Sequence, residues 1–381
     1  MPVMQSPPGA YALIDGRCYL YFAGTGYLGL QSRAEVIGAA CEAVAKYGIG
    51  SATSRLRTGF GDTPPVLEVE RLAAEFFDLA DAFYFASGYF GATILATVFR
   101  EEFDAVFVDE LSHYSIFDAA RLADRPVFTF RHRNAADLRE HLGGDLPPGG
   151  RPLVLTDGVF AVSGKIAPAT EYYGVLKEFP GAILAVDDAH ALGVLGGRGR
   201  GTFEDARLWD AGVNCHPAAE DADGPRLLLC GTCSKAIGGY GGIIPGSRAF
   251  IDRLKTTSHL YSGASPPPIP TAAATAKAIE LILDEPGLRR QLQQNVSLLR
   301  EGLRGLGFDI EESPVPIVSL TIGDAANMVR IQHDLALRGI CITYFAAYSG
   351  VGPEGALRIA VFATHTPEMI GMLLDALKPL V

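Results

Sequence analysis

Lys235 stands in "CGTCSKAIGGYGG", Cys230 to Gly242, between small hydroxyl-bearing residues and a run of glycines. A solvated surface lysine needs no such setting. A lysine amine that forms a Schiff base must first lose its proton, and burial away from carboxylates lowers its pKa and eases that loss. Other short stretches carry groups that could work beside it. "AILAVDDAH" ends an apolar run at Asp187, three residues before His190, and an acid there could keep a buried ring nitrogen protonated. "FASGYFG" places Ser87, Gly88 and Tyr89 at the opening of a helical pattern, where free backbone N–H groups bind phosphate. "LSHYS" carries His113, and "LRIAVF" carries Arg358, whose planar guanidinium suits a two-point grip on a carboxylate.

Each of these groups also has an ordinary reading. Lys235 could be a solvated cation, His113 a satisfied or exposed histidine, Asp187 with Asp188 a helix cap or turn pair, Arg358 one half of an ion pair, and Ser87 a helix cap. Cys230 and Cys233 form a C-x-x-C, but no second pair of ligands at zinc-site spacing accompanies them, which favours two small residues filling space. No serine has the G-x-S-x-G setting of a hydrolase elbow, and neither a phosphate-binding P-loop nor H-E-x-x-H occurs.

The elements that must position these groups are legible as a pattern. "AFYFA", "AVFVD", "PLVLT", "AILAV" and "RLLLC" are short apolar runs, each followed by a polar or glycine-bearing turn and then by helical spacing. Continuous apolar runs suit strands buried on both faces, and the alternation predicts an α/β fold with a mostly parallel central sheet between helices. Ligands of open parallel sheets collect beyond the carboxyl ends of the strands. Ser87, His113, Asp187, His190, Thr232 and Lys235 are therefore expected to face one crevice. "RAEVIGAACEAVAKYG" and "PPVLEVERLAAEFF" read as helices, the first stopped by Gly48. After the rigid break "SPPPIP", one long helical stretch is expected at about Thr271 to Leu306, then strands at "IVSLTI", "ICITYF" and "LRIAVF" and a last helix from Pro367. The expected division is residues 1–45 packing beside a small domain, 46–265 as the large α/β domain, and 266–381 as the small α+β domain.

The chain has 381 residues, 48% of them hydrophobic, which is ample for a core of this kind. Its formal charge of -11 argues against nucleic acid as a main partner. No apolar stretch reaches the roughly 18 residues of a membrane span, the N-terminus lacks the basic and apolar regions of a secretory signal, and the six cysteines are scattered. A cytoplasmic chain with no membrane association and no structural metal is expected.

A phosphate, a basic ring nitrogen and an aldehyde on one molecule describe pyridoxal 5'-phosphate (PLP), which takes a lysine and an acid partner for its pyridinium. From about Tyr19 to the C-terminus the chain resembles the α-oxoamine synthases, the fold-type-I PLP enzymes that include 8-amino-7-oxononanoate synthase and glycine C-acetyltransferase. The resemblance rests on "GYLGL", "YGIGSATSR", "FASGYFG", "LSHYSIFDAARL", "VDDAHALGVLGGRGRG", "GTCSKAIGGYGG" and "LRIAVFATHT", in that order. It implies a Schiff-base role for Lys235, the ring nitrogen for Asp187, the ring hydroxyl for His190 and ring stacking for His113. Ser87, Gly88, Tyr89 and Thr232 would hold the phosphate, and Arg358 the substrate carboxylate, with Thr25 and Ser349 at substrate positions. "HLYSGASPPPIP" resembles the segment that reaches the neighbouring subunit's phosphate, which implies a homodimer with shared sites and a role for Ser262. The implied reaction condenses an amino acid with an acyl thioester, carried by CoA or a carrier protein, usually with loss of carbon dioxide.

The cofactor motifs are intact, whereas other positions depart from the pattern, most of all in the segment implied for the acyl donor. Thr25 replaces a common asparagine, Ala161 a serine, Lys165 an aspartate and Gly263 a threonine, and "AAYSGVG" replaces Pro-Pro-Thr-Val-Pro. An unusual acyl donor would fit that contrast. So would another PLP reaction on the same scaffold: aldol cleavage, decarboxylation or transamination.

Overall fold

The computed structural model describes residues 1–55, 60–215, 224–346, 348 and 351–381. The chain opens with a hairpin, β1 (Tyr11–Ile14) and β2 (Arg17–Tyr21). Helices Ala34–Tyr47 and Pro64–Phe77 follow. The first ends at Gly48 with φ 77°, a left-handed position that glycine takes without steric cost. The second carries its prolines in the first turn, where no intrahelical N–H bond is lost.

Seven strands make the large sheet: β3 (Asp81–Phe85), β4 (Ala105–Asp109), β5 (Val127–Phe130), β6 (Pro152–Asp157), β7 (Ile183–Asp187), β8 (Arg226–Thr232) and β9 (Gly242–Gly246). Their order is β3-β9-β8-β7-β6-β4-β5. The pairs β4–β5, β4–β6, β6–β7 and β7–β8 are parallel, while β9 runs antiparallel to both β8 and β3. Reversing twice returns β3 to the common direction, so six of the seven strands end at one edge.

Alternation along each strand explains the unbroken apolar runs. Phe107, Val154, Leu184 and Val186 pack into one layer, and Val106, Leu153, Leu155, Ile183 and Ala185 into the other. With helices on both faces, neither set meets water, and each fully buried Val, Leu, Ile or Phe contributes roughly 1.5–3 kcal/mol. The five strands expected from sequence are present. β5 and β9 were not expected: β5 is a short edge strand, and β9 ("GIIPG") is broken up by glycine and proline. Proline is tolerated there because β9 pairs with β8 only through Gly242 and Ile243, so Pro245 lies beyond that ladder.

The expected long helix at about Thr271 to Leu306 is two helices, Ile269–Asp284 and Gly287–Gly305. Pro286 disfavours the helical region for the residue before it, and Glu285 takes φ -117°, ψ 66°. Next come β10 (Ile317–Leu320), β11 (Ile340–Cys341), β12 (Thr343–Phe345) and β13 (Ala356–Ala360), and then helix Pro367–Leu377. "ICITYF", expected as one strand, switches sheets at buried Ile342. β11 adds in parallel to β2, whereas β12 pairs antiparallel with β13, which also holds β10. The β2–β11 pairing and the bond from Ala360 N–H to Phe22 O lead the segment after β2 toward the large sheet's open edge. Among the described residues no helix is long and apolar enough to cross a membrane.

Candidate active site

Phe85, Thr232, Asp187 and Asp157 close their strands side by side. Asp157 is the register partner of Asp187, Asp187 of Cys230, and Thr232 of Gly242 at the reversed strand's start. Beyond this edge lies a cavity of about 380 Å³, lined by Ser87, Gly88, Tyr89, His113, Asp187, His190, Thr232 and Lys235 among others. The six residues expected to share a crevice do so. Thr25 and Arg358 line it too.

One end of the cavity is built from backbone. Ser87 caps a short helical turn, Gly88–Phe90, its Oγ accepting the N–H of Tyr89 at 3.3 Å. A Cβ on Gly88 would sit 2.5 Å from Cβ of Thr232, so this close approach requires glycine. Thr232 Oγ1 donates to Gly241 O at 2.9 Å and accepts the Ser234 N–H at 3.2 Å. The turn therefore presents the Gly88 N–H beside the Ser87 and Ser234 hydroxyls, which together suit a phosphate.

The opposite part holds the titratable groups. Lys235 Nζ lies 2.7 Å from His190 Nε2, His190 Nδ1 lies 2.7 Å from the Tyr27 hydroxyl, and Arg358 Nη2 donates to that hydroxyl at 3.1 Å. Arginine only donates, so the Tyr27 oxygen accepts from it and its hydrogen is left for His190 Nδ1. When Lys235 is a free amine, His190 then carries its proton on Nε2 and donates to it. This assignment of hydrogens gives every member of the chain a partner. Burial lowers the Lys235 value to about 8 against the pull of Asp187, and burial beside Lys235 keeps His190 neutral, well below its usual range. Burial raises Asp187 to about 6, partly offset by Lys235. Ala189 N–H donates to Asp187 Oδ1 at 3.0 Å, and Oδ2 has no hydrogen bond among the described residues. His113 caps helix Tyr114–Leu122, Nδ1 accepting the Ser115 N–H at 3.2 Å, while its own backbone N–H donates to Asp157 Oδ2 at 2.7 Å. Arg358 also donates to Ala161 O and Gly24 O, so two of its five N–H groups have no partner among the described residues.

Not every expected residue gathers here. Ser262 lies on helix His259–Ser262, its hydroxyl donating to Ser258 O, and does not line this cavity. Ser349 falls outside the described residues. Cys230 and Cys233 pack into opposite core layers, and burial raises both thiols, Cys233 to about 12. Sequence reasoning gave no role to Tyr27, Asp157 or Ser234. Tyr27 sits inside "GYLGL" and Asp157 ends a strand as Asp187 does; those positions were the available signals.

The residues fit PLP: a phosphate cradle that a single Cβ at position 88 would fill, an unpartnered carboxylate oxygen in the cavity, and an enclosed lysine amine. Residues 26–377 match the family model described as aminotransferase class I and II. The chain belongs to the aminotransferase class I and II family.

Within the family, the chain is 35% identical over 379 residues to the 8-amino-7-oxononanoate synthase of Nitrosococcus oceani, covering 98% of this chain and 95% of that protein. It is 34% identical to the 8-amino-7-oxononanoate synthase of Dechloromonas aromatica, covering 99% and 94%. Among solved structures, the serine palmitoyltransferase of S. paucimobilis with a bound PLP–myriocin aldimine superposes with TM-score 0.88 at 26% identity, covering 100% of this chain and 92% of that one. The 8-amino-7-oxononanoate synthase of Francisella tularensis shares the fold, with TM-score 0.75 at 22% identity, covering 95% and 97%. The expected fold class, an α/β PLP transferase with a mostly parallel sheet, is the one found.

Proposed function

We propose that this family member is a PLP-dependent C-acyltransferase that condenses an amino acid with an acyl thioester, with loss of carbon dioxide, to give an α-oxoamine. The observation that carries this reading is the enclosed Lys235 amine sharing one cavity with Asp187 and Arg358, in a chain similar along its length to 8-amino-7-oxononanoate synthases. PLP, when bound, supplies an aldehyde for the amine and a ring that accepts electrons from the substrate carbon. Asp187 holds a negative charge for the ring nitrogen. His190, fixed as the Nε2–H tautomer, donates to the ring hydroxyl oxygen, and His113 covers the ring. The Gly88 N–H, with Ser87, Tyr89 and Thr232, takes the phosphate. The two free Arg358 N–H groups grip the substrate carboxylate, and Thr25 and Ser349 border the substrate. Lys235, released as a free amine, takes the Cα proton, and its value near 8 makes it both base and acid near neutrality.

The proposal includes a cytoplasmic homodimer in which Ser262 of each subunit approaches the other's phosphate, because it lies outside its own cavity. It also keeps the large domain at 46–265, with 1–45 beside the small domain at 266–381.

Incubation with pooled amino acids, with and without acyl-CoA, tests the reaction. Free CoA is expected only when both substrates are present, with a product mass equal to their sum less CoA and carbon dioxide. Turnover of the amino acid without any thioester would instead assign aldol cleavage, decarboxylation or transamination.

The hydrogen-bond chain yields a second prediction. Tyr27→Phe keeps the ring but leaves Arg358 Nη2 and His190 Nδ1 without their shared partner. A bond that includes a charged group is worth ~1.5–3 kcal/mol, so kcat/KM should fall roughly 10- to 100-fold. Steady-state kinetics and cofactor titration check this, and an unchanged kcat/KM would remove Tyr27 from the site.

A further inference from the structure

Asp157 has no part in the reaction derived above, yet it is one of the most constrained groups in the cavity. It is only 4% exposed and lines the cavity beside Asp187. The β6–β7 register makes the two residues direct neighbours, so parallel pairing puts both carboxyls on the same side of the sheet. Asp157 Oδ2 accepts the His113 N–H at 2.7 Å. Oδ1 has no hydrogen bond among the described residues.

Among the described residues no cation is hydrogen-bonded to it. Lys235 is engaged with His190, and Arg358 with Ala161 O, Gly24 O and Tyr27. The groups around it are Asp187 from β7, Asp109 from β4, the His113 N–H, Lys235 from the turn after β8, and Tyr348 from the segment before β13. Two buried carboxylates with one nearby cation cannot both ionise cheaply. Asp187 has the better claim to the charge, because Lys235 acts on it more strongly relative to its burial cost. Burial and the Asp187 charge push Asp157 well above the carboxylate range.

We infer that Asp157 is held as the neutral acid, one oxygen accepting the His113 N–H and the O–H offered to an anionic oxygen of whatever occupies the cavity. Asp187 is then the single negative charge at the strand ends. This rests on the proposed PLP site. The acceptor is either an oxygen of the cofactor or the carboxylate of the amino acid. Ala161, which also lines the cavity, offers no side-chain donor.

Asparagine is the near-isosteric mimic of a protonated aspartate: its carbonyl can accept the His113 N–H and its amide can donate. Asp157→Asn therefore keeps both hydrogen bonds and removes the titration. In the full-length chain without PLP, the sign of the stability effect is fixed. A folded pKa raised above the unfolded one contributes stability at low pH that is lost as pH rises through the folded value. The variant lacks that loss. Its melting temperature relative to wild type should therefore rise from about pH 4 to about pH 8. Asp157→Ala, which removes the donor, locates the acceptor: a weaker PLP affinity at unchanged amino-acid KM assigns the cofactor oxygen, and the reverse assigns the substrate carboxylate.

A melting temperature for Asp157→Asn that falls relative to wild type as pH rises would overturn the inference. So would a hundredfold loss of kcat in Asp157→Asn that Asp157→Glu restores, since that would require an ionised group. If wild type itself turns over no thioester, the proposed function fails, and the melting series still decides the protonation state.

Discussion

Lys235→Ala is expected to lower kcat roughly a thousandfold or more, the span of a lost general base. Borohydride treatment, which fixes PLP to the wild-type chain at residue 235, should leave no covalent adduct in the variant. Non-covalent cofactor binding should persist, because the phosphate turn and Asp187 remain. The wild-type amine has its own pH signature. Its value lies near 8 rather than 10.5 because burial penalises the cation, and the free amine is the nucleophile. The rate of cofactor attachment to the empty protein should rise with pH and level off above about 8. An adduct at any other lysine, or attachment in the alanine variant, would contradict the site as built.

Asp187→Asn is expected to cost roughly 100- to 1,000-fold in kcat, the scale of removing one preorganised electrostatic group from an enclosed site. The shape of the pocket is retained, so the circular dichroism spectrum should not change. The exchange of substrate Cα hydrogen into D₂O should slow by the same factor, which separates this effect from slow product release. In the free protein the Asp187 value is about 6, raised by burial. Protonation therefore relieves the fold of a buried anion, and that relief is lost as pH rises through about 6. A cationic ring partner offsets the loss. In a Lys235→Ala background, where attachment is absent and the amine no longer lowers Asp187, PLP should bind more tightly as pH rises, with a midpoint above the wild-type value. With Asn at 187 as well, that pH dependence should disappear. Persistence of the acid-side weakening in the double variant would place the titrating group elsewhere.

The sequence by itself determined the chemistry-bearing groups and the class of fold. Lys235, Asp187, His190, His113, Ser87 and Thr232 were identifiable because each follows an apolar run or opens a helix, and parallel strands send such positions to one edge. That rule is local and periodic, so it survives in one dimension. Boundaries set by single residues were also partly legible: Gly48 stops its helix as expected, whereas Pro286 divides the helix expected through to Leu306. Pairing decided the rest. β9 carries glycine and proline and has no strand signature, and it exists because β3 and β8 flank it. "ICITYF" divides between two sheets because β2 and β13 each claim one half, and no pattern within six residues encodes that.

Tertiary structure alone supplied the relations among side chains distant in sequence. Tyr27 meets His190 across 163 positions and Arg358 across 331, which fixes a tautomer no motif specifies. Asp157 and Asp187 look alike as strand-ending aspartates. Only their register, and the preference of the one nearby amine, divides a charge between them. Residue type and spacing state which groups can react. Which proton each of them holds depends on burial and on neighbours that folding brings from other parts of the chain.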